Sequence, residues 1–430
     1  MKVLILGSGG REHALAWAVR RSPRVTEVVC APGNGGIAQV ARCVPVDIKD
    51  VDAMVRLAQV EQPSLTIVGP ELPLSLGVVD AFTEHGYRVF GPTRDAARLE
   101  SSKAFAKQFM KRYQIPTANY AVCTSTKEVE ESLAYFHPPI VVKADGLAAG
   151  KGVIICPTRH SALESTEGLF NGQLLGTREQ QVVIEEFLEG EELSFLCLSD
   201  GTHVAALVPA QDHKRIGEGD TGPNTGGMGV YSTGEMLEPT MAEWILRHVA
   251  EPTVRGMAEE NTPFIGVLYC GLMMTAKGPQ VLEYNARFGD PETQAILVRL
   301  ESDLVDALEA CIDGRLAETK MQWGSGASAC VVASSSGYPG SYKTGLPITG
   351  LTNAAQTPGV EVFHSGTARV GNQVVTSGGR VLGITATGDS LEQALLRAYQ
   401  ALSQIHFDGI YYRRDIGHRA LKRSVSREHS

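Results

Sequence analysis

The sequence has little that would place the protein in a membrane or outside the cell. No stretch of the 430 residues approaches the ~18 consecutive apolar residues of a membrane span. The apolar start, Met1–Gly7, is too short for a signal peptide, and charged residues soon follow it. The eight cysteines are dispersed and contain no C-x-x-C pair. We therefore expect reduced, buried thiols in a cytoplasmic protein.

Signatures of metalloproteases, nucleic-acid binding and nucleophilic catalysis are also absent. None of the eleven histidines forms H-E-x-x-H, so a zinc site is not expected. The formal net charge of −9 indicates neither a nucleic-acid nor a membrane partner, and we expect small-molecule partners instead. No Ser-His-Asp or Cys-His order stands out, which favours phosphoryl or acyl transfer through positioning and electrostatics.

The length and the apolar pattern indicate an α/β protein of several domains. The 430 residues suggest about three domains of ~150 residues each. Short apolar runs alternate with helical patterns up to residue 100, which predicts a doubly wound parallel sheet. We expect an N-terminal domain at 1–100, a connecting helix within 101–120, a small strand-rich lobe at 121–190, a central domain at 191–325 and an α+β C-terminal domain at 326–430.

A glycine-rich turn follows the first predicted strand and opens a helix. It contains Gly9, Gly10, Arg11 and Glu12. Glycines let the backbone approach an anion, and free N–H groups at a helix N-terminus favour negative charge. Glu12 occupies the third glycine position of a dinucleotide fingerprint, and no acid follows the second strand at Cys30. We interpret the turn as a monophosphate or sugar-phosphate site rather than an NAD site, with a simple tight turn as the alternative.

A second glycine-rich segment has predicted strands on both sides. The apolar run before it ends at Lys143, and Gly146, Lys151 and Gly152 belong to the loop that follows. The loop is not a Walker P-loop, because Asp145 replaces its first glycine and no Ser or Thr follows Lys151. The pattern predicts a strand–loop–strand flap over phosphates, and a solvated strand-end lysine is the alternative.

An acidic turn follows a buried strand shortly after this flap. It comprises Glu185, Glu186, Phe187, Leu188 and Glu192. The backbone of such a segment could bind adenine while a carboxylate binds the ribose hydroxyls. An acidic turn alone is usually a solvated surface, but its position after the Lys143 flap favours the nucleotide.

The most informative polar cluster is Glu283, Asn285 and Arg287, followed by Gly289 and Asp290. Residues two apart on a strand share a face, so the first three side chains are expected to point the same way. A carboxylate beside an amide oxygen suits Mg²⁺, and an adjacent arginine can bind a carboxylate bidentately. Three such groups pack poorly in a core unless they are paired. The cluster therefore predicts a metal and carboxylate site.

A polar loop runs from Gln211 to Gly229. Asp212 and Lys214 lie near its start and Asp220 lies in its middle. Five of the eleven residues from Gly219 to Gly229 are glycine. Long loops without secondary structure in compact domains are usually functional, so we expect this loop to contact a substrate.

Together these motifs resemble the glycinamide ribonucleotide synthetases, a family within the ATP-grasp superfamily. The resemblance also covers Gly378–Leu382 and Tyr412–Ile416, and it extends from residue 5 to about 420. It implies a pre-ATP-grasp N-terminal domain, two ATP-grasp lobes with ATP between them, and a C-terminal domain. It also implies an ATP-dependent ligase of purine biosynthesis that joins glycine to 5-phosphoribosylamine through glycyl phosphate.

The resemblance implies a role for each candidate residue. Lys103 and Lys143 would hold ATP phosphates under the flap, the Glu185–Leu188 strand would face adenine, and Glu192 would meet the ribose. Glu283 and Asn285 would hold Mg²⁺ or Mn²⁺. Arg287 and Asp212 would bind the two ends of glycine, with Lys214 as a third catalytic residue. The remaining substrate-binding candidates are Asp220, Gly289, Asp290 and the Gly9–Glu12 turn, which would bind 5-phosphoribosylamine.

Some features are left open or stand outside this pattern. Many ATP-grasp enzymes carry another acidic metal ligand on the preceding strand, but Asn261–Leu282 contains no Asp or Glu. The alternatives are an ATP-grasp ligase or kinase for another small carboxylate, and a nucleotide sensor without catalysis. The basic residues near the end, Arg413 and Arg419 among them, are interpreted as a solvated terminus. The oligomeric state is not predicted.

Overall fold

The computed structural model describes residues 1–147 and 152–422. The N-terminal elements are β1 (Lys2–Gly7), α1 (Gly10–Arg20), β2 (Glu27–Pro32), β3 (Arg42–Cys43), α2 (Val51–Glu61), β4 (Leu65–Val68), α3 (Glu71–Ser75), α4 (Val78–Glu84) and β5 (Val89–Phe90). The strands form one parallel sheet in the order β3-β2-β1-β4-β5. The predicted doubly wound fold is confirmed, and apolar runs such as Val3–Leu6 are buried as parallel strands require.

Two helices connect this sheet to the small lobe, namely α5 (Arg98–Ser101) and α6 (Lys103–Arg112). Ser102 is the N-cap of α6, and its hydroxyl accepts a hydrogen bond from Phe105 N at 3.1 Å. The lobe contains β6 (Tyr120–Cys123), α7 (Thr126–Leu133), β7 (Ile140–Ala144), β8 (Val153–Cys156), α8 (Arg159–Phe170) and β9 (Val182–Glu186). Its sheet is antiparallel in the order β6-β9-β7-β8, so the flap connects two adjacent strands.

The central region is built around a second antiparallel sheet. Its elements are β10 (Glu191–Asp200), β11 (Val204–Ala206), β12 (Gln211–Asp212), β13 (Arg215–Gly217), β14 (Thr221–Asn224), β15 (Gly229–Ser232), α9 (Pro239–Ile245), α10 (Glu251–Glu259), β16 (Ile265–Thr275), β17 (Gly278–Asn285), α11 (Glu292–Leu297) and α12 (Leu304–Ile312). The order is β11-β10-β16-β17, which places β17 at one end of the sheet.

The C-terminal elements are β18 (Ala327–Ser335), α13 (Leu351–Ala355), β19 (Val360–His364), β20 (Thr367–Val370), β21 (Gln373–Thr376), β22 (Arg380–Gly388), α14 (Leu391–Leu402) and β23 (Ile410–Tyr411). They share a sheet with two strands of the polar loop, in the order β12-β15-β18-β22-β19, and β23 pairs with β18. The segment that carries Asp212 is therefore an edge strand of the C-terminal sheet.

The buried side chains show which parts of the chain pack as one unit. The apolar core of the small lobe contains only residues between Cys123 and Ile184. By contrast, the N-terminal sheet and the central sheet contribute to the same two cores. The small lobe thus has a separate apolar core, which is typical of a domain that closes over a ligand. Within the described ranges, no helix has the length and apolar content needed to cross a membrane.

Candidate active site

The small lobe presents two charged side chains on the face opposite its apolar core. Val142 and Ile184 point into that core, and so their strand neighbours Lys143 and Glu185 point away from it. Val141 pairs directly with Glu185, which makes Lys143 and Glu185 diagonal neighbours across β7 and β9. The Lys143 ammonium lies 2.9 Å from Glu185 Oε1. This face is turned toward β17, because Lys143 Nζ also donates to Leu282 O at 3.0 Å.

The base of the flap is attached to the start of α6. Asp145 accepts hydrogen bonds from Ala104 N at 2.7 Å and from the Ser102 hydroxyl at 3.1 Å. Lys103 Nζ donates to Gly146 O at 3.0 Å, and burial lowers the pKa of this lysine. Sequence reasoning assigned no role to Asp145, although it fixes the flap to the residue predicted to hold phosphate.

The other flap candidates are Gly146, Gly152 and Lys151. No atom of the described residues lies within 4 Å of a Cβ built at Gly146. Gly152 O accepts a hydrogen bond from Ala144 N at 2.8 Å and closes the base of the loop. Lys151 lies outside the described residues.

The hinge candidates lie between β9 and β10. The Glu186 carboxylate accepts hydrogen bonds from Asn119 N at 3.0 Å and Asn119 Nδ2 at 3.1 Å. Phe187 and Leu188 follow in an extended, half-buried connection. Glu192 is the second residue of β10, and its Oε2 lies 2.8 Å from the Lys214 ammonium. The segment between β9 and β10 therefore connects the small lobe to β10, whose Glu192 contacts Lys214 of the polar loop.

The metal candidates lie at the end of β17. Tyr269 and Gly271 of β16 face Asn285 and Glu283, whereas Leu282 is an extra residue in a β-bulge. The bulge frees the Leu282 carbonyl from the ladder, and Lys143 binds it. Burial raises the pKa of Glu283, but the charges of Lys214, Lys143 and Lys103 outweigh burial and lower it overall. An ionised carboxylate beside an amide oxygen on one strand face fits a divalent cation.

Arg287 lies just beyond β17 and is already paired. Its Nε is 3.2 Å from Glu71 Oε2 and its Nη2 is 2.9 Å from Glu100 Oε1. Nη2 also donates to Asn285 Oδ1 at 3.3 Å. This contact between the Arg287 and Asn285 side chains agrees with the prediction that they lie on the same face. To bind the glycine carboxylate bidentately, Arg287 would have to release either Glu71 or Glu100. The sequence did not indicate this requirement.

The candidate residues of the polar loop lie in two separate places. Asp212 lies close to Glu292, and burial followed by that neighbouring charge raises the pKa of Asp212. Lys214 reaches Glu192 and, at 3.7 Å, Glu283. Asp220 lies elsewhere, where its carboxylate contacts Arg413 at 3.0 Å and Arg419 at 2.6 Å. The structure therefore brings Asp212 and Lys214 to the Glu283 cluster but does not bring Asp220 there.

Arg413, one of the basic residues near the end of the chain, is not solvated as we expected. Arg413 has 0% of its surface exposed and donates to both Asp220 and Asp415. The ion pairs offset the cost of burying its charge. Sequence patterns carried no signal for this, because Asp220 and Arg413 are far apart along the chain.

The N-terminal turn contacts the segment that follows β17. Gly9 N donates to Glu12 Oε2 at 2.5 Å, and the Arg11 side chain pairs with Glu12 at 2.5 Å. Arg11 N lies 3.5 Å from Asp290 Oδ2, and its guanidinium donates to Phe288 O at 3.2 Å. Arg287 donates to the same carbonyl. The turn therefore adjoins the Arg287 segment despite the long separation in sequence.

Side chains pack closely against two glycines in this region. A Cβ at Gly10 would lie 2.5 Å from Gln294 Nε2 and 2.6 Å from Ser365 Oγ. A Cβ at Gly289 would lie 2.3 Å from Glu292 Oε2. Asp290 also pairs with Arg380 at 3.4 Å, and the Arg380 and Arg11 charges lower its pKa although burial raises it. The sequence assigned no role to Arg380, which lies within Gly378–Leu382, or to Glu292, which follows Asp290 by two residues.

An antiparallel small lobe presents lysines to a Glu-x-Asn strand of a central sheet, as the resemblance to ATP-grasp enzymes implied. The chain has the ATP-grasp fold. The family models for the N, ATP-grasp and C domains of phosphoribosylglycinamide synthetase match residues 1–100, 101–293 and 328–419. The chain belongs to the phosphoribosylglycinamide synthetase family. This confirms the family resemblance drawn from the sequence.

Individual relatives agree with this assignment. A phosphoribosylamine–glycine ligase from Xanthomonas axonopodis is 51% identical over 98% of this chain and 99% of that relative. A crystal structure of phosphoribosylamine–glycine ligase from Thermotoga maritima has a TM-score of 0.84 and 35% identity, covering 96% of this chain and all of that one. A biotin carboxylase from Campylobacter jejuni, at 12% identity and a TM-score of 0.71 over 96% of this chain and 92% of that one, shares the fold alone.

Proposed function

We propose that the protein ligates glycine to 5-phosphoribosylamine at the expense of ATP, as the names of its full-length relatives indicate for them. The observation that carries the site assignment is the set of three lysines around Glu283. Lys103, Lys143 and Lys214 come from three different elements and together lower the pKa of this carboxylate although burial raises it. Such a concentration of positive charge beside an ionised carboxylate suits the polyphosphate of ATP and a divalent cation.

The reaction has two steps. The glycine carboxylate attacks the γ-phosphoryl group of ATP, which gives glycyl phosphate and ADP. The amine of 5-phosphoribosylamine then attacks the acyl carbon, loses a proton and releases inorganic phosphate, which leaves the amide. An acyl phosphate hydrolyses in water, so the site must exclude water between the two steps. The separate core of the small lobe supports a role for that lobe as the lid.

In this proposal the candidate residues have the following roles. Lys103 and Lys143 bind phosphates, and the Glu185–Leu188 segment and Glu192 bind the nucleoside. Glu283 and Asn285 would hold Mg²⁺ or Mn²⁺, which when bound neutralises phosphate charge. Arg287 binds the glycine carboxylate after exchanging a partner, and Asp212 binds the amino group near Lys214. The Gly9–Glu12 turn, with Gly289 and Asp290, binds the sugar phosphate once the carboxylates of Glu12 and Asp290 release the N–H groups of Gly9 and Arg11.

The predicted place of Asp220 in the substrate site is not supported by any contact among the described residues. Its carboxylate is occupied by Arg413 and Arg419. We therefore assign it a role in holding the polar loop. A cytoplasmic location is also part of the proposal, since all eight cysteines are free thiols.

The reaction is tested by supplying ATP, Mg²⁺ and glycine with and without 5-phosphoribosylamine. The expected result is amide and ADP formed in equal amounts, with little ADP when the amine is omitted. Free acyl phosphate accumulating without the amine would identify a kinase instead. ATP binding without turnover under either condition would identify a nucleotide sensor.

A further inference from the structure

Lys107 is a buried lysine that the proposed mechanism does not use. It lies one turn after Lys103 on α6, and only 2% of its surface is exposed. Its ammonium lies 2.8 Å from Glu185 Oε2 and donates to the Thr117 hydroxyl at 2.7 Å. A lysine is rarely buried without a specific partner, because desolvation of its charge is costly.

Glu185 lies between two lysines. The Lys107 ammonium lies 2.8 Å from Oε2, and the Lys143 ammonium lies 2.9 Å from Oε1. Both contacts are close charge pairs, and each ammonium directs a hydrogen bond to another group, Lys107 to the Thr117 hydroxyl and Lys143 to Leu282 O. Of the two lysines, Lys143 is the one that the proposed function assigns to phosphate, so it is the one that would leave the carboxylate.

The Lys107 ammonium is also fixed to the metal-binding strand. The Thr117 hydroxyl that accepts its hydrogen bond donates in turn to Val281 O at 2.6 Å. Val281 directly precedes the bulge at Leu282, whose carbonyl binds Lys143. Lys107, through Thr117, and Lys143 thus link Glu185 to the adjacent residues Val281 and Leu282 of β17. The same strand therefore sets the positions of both ammonium groups.

The charges around Glu185 do not cancel. Lys107 and Lys143 supply two positive charges to one carboxylate, and 5% or less of each of these three residues is exposed. A carboxylate left in such a place with no partner would be strongly unfavourable. Without Lys107, Glu185 would depend on Lys143 alone, and Lys143 would be held away from a nucleotide.

We propose that Lys107 is a positioning residue for ATP: it neutralises Glu185 so that the Lys143 ammonium can move from that carboxylate to a nucleotide phosphate. The inference rests on the proposed function, in which Lys143 binds phosphate. Lys107 itself contacts no substrate. Its effect is transmitted through Glu185, which makes the two residues energetically coupled in ATP binding.

The test is a double-mutant cycle in the full-length protein with Lys107→Met and Glu185→Gln. Lys107→Met is expected to raise the KM for ATP by about tenfold or more while the KM for glycine stays within about twofold, since only one side of the site loses its charge balance. In the Glu185→Gln protein there is no carboxylate to hold Lys143. Adding Lys107→Met to Glu185→Gln is therefore expected to change the KM for ATP by less than about threefold.

Lys111→Met is the matched control, because Lys111 lies on the same helix with its side chain exposed. It is expected to leave both KM values unchanged. If Lys107→Met raised the KM for ATP equally with and without Glu185→Gln, the proposal would be overturned, as it would by an equal rise for ATP and glycine. If Lys107→Met alone does not fold, a rise of more than about threefold in the KM for ATP from the Glu185→Gln protein to the double variant still overturns the proposal, and Lys107→Gln then supplies the single-variant measurement.

Lys143→Met separates this inference from the proposed function. A higher KM for ATP in Lys143→Met, with no change in Lys107→Met, would refute the role of Lys107 and leave the phosphate site intact. An unchanged KM for ATP in Lys143→Met would instead refute the phosphate assignment on which both rest. Formation of the amide by the unaltered protein tests the ligase reaction independently of either lysine.

Discussion

Arg287 carries a partly buried guanidinium between two carboxylates whose pKa values are shifted in opposite directions. Burial raises the pKa of Glu71, but Arg287 and then Arg11 outweigh burial and bring it to about 2. At Glu100 burial prevails, so its pKa is raised despite Arg287. Glu100 therefore gives up its charge more readily than Glu71.

This arrangement predicts the effect of Arg287→Lys. The planar guanidinium of Arg287 holds two carboxylates and would exchange one of them for the carboxylate of glycine. The single ammonium of a lysine does not reproduce this geometry. We expect a loss of roughly 2–5 kcal/mol, seen as a higher KM for glycine before any change for ATP. Steady-state kinetics with each substrate varied in turn measures the two effects. Unchanged glycine kinetics with weaker ATP binding would reassign Arg287 to the nucleotide.

Glu283 is the second residue whose charge can be tested alone. Glu283→Gln keeps the shape of the side chain but removes the charge that Lys103, Lys143 and Lys214 surround. A neutral amide also binds a divalent cation far less well than a carboxylate. We expect most turnover to be lost, measured as ADP release at saturating Mg²⁺ and ATP, while the melting temperature changes little. Activity near that of the unaltered protein would contradict the metal assignment.

Among the elements, the regular strands were predictable and the irregular ones were not. The apolar runs at Lys2–Leu6 and Leu65–Val68 predicted β1 and β4, because buried parallel strands are continuously apolar. The bulge at Leu282 had no such signal, since it depends on how β16 pairs with β17. The alternation that placed Glu283 and Asn285 on one face holds because the bulge precedes both residues.

The polar loop is an element whose order depends on the C-terminal domain. Gly219 N donates to Asp415 Oδ2 at 2.8 Å, and Arg413 donates to Arg215 O at 3.0 Å and Asp220 Oδ1 at 3.0 Å. Gly417 N donates to His213 Nε2 at 3.1 Å. These contacts fix the loop that also carries Asp212 and Lys214.

Arg413→Met should therefore loosen this loop. Removing one partner from a buried ion pair costs about 3–5 kcal/mol, because the remaining carboxylates lose their compensating charge. We expect faster amide hydrogen exchange across residues 213–222 and a higher KM for glycine. Arg414→Met is the control, since Arg414 is exposed on the same segment. Unaltered exchange in the Arg413 variant would show that the loop is ordered by its own hairpin, β13 and β14.

At the scale of the whole molecule, contacts between domains build the site, and these are what the sequence could not show. Arg11 with Asp290 and Arg287 with Glu71 each join residues more than two hundred positions apart. Local periodicity specifies strands and helices but carries no information on such pairs. The family resemblance supplied the roles of residues, whereas the partners of Arg287 and Asp220 required the folded chain.

The domain contacts also bury histidines in their neutral form. Burial, and then repulsion from His364, lowers the pKa of His13 to about 3. Burial is also the largest cause that lowers the pKa of His213 and His364, each to about 4. His13 Nδ1 accepts a hydrogen bond from His364 N at 2.8 Å, which joins α1 to the C-terminal sheet. Protonation of His13 at that nitrogen would break this contact.

These shifts predict that the protein loses stability in mild acid. An unfolded histidine binds a proton near pH 6.5, whereas the folded ones do so only near pH 3 to 4, so unfolding takes up protons as the pH falls below about 6.5. At pH 5, His13 alone should cost about 2 kcal/mol relative to pH 7.5. His13→Asn retains an acceptor for His364 N but does not titrate, so its melting temperature should fall less between these pH values. His160→Asn is the control, because the His160 side chain is 81% exposed, and it should keep the full pH dependence. An identical fall in the His13 and His160 variants would show that groups other than His13 set the acid limit of the fold.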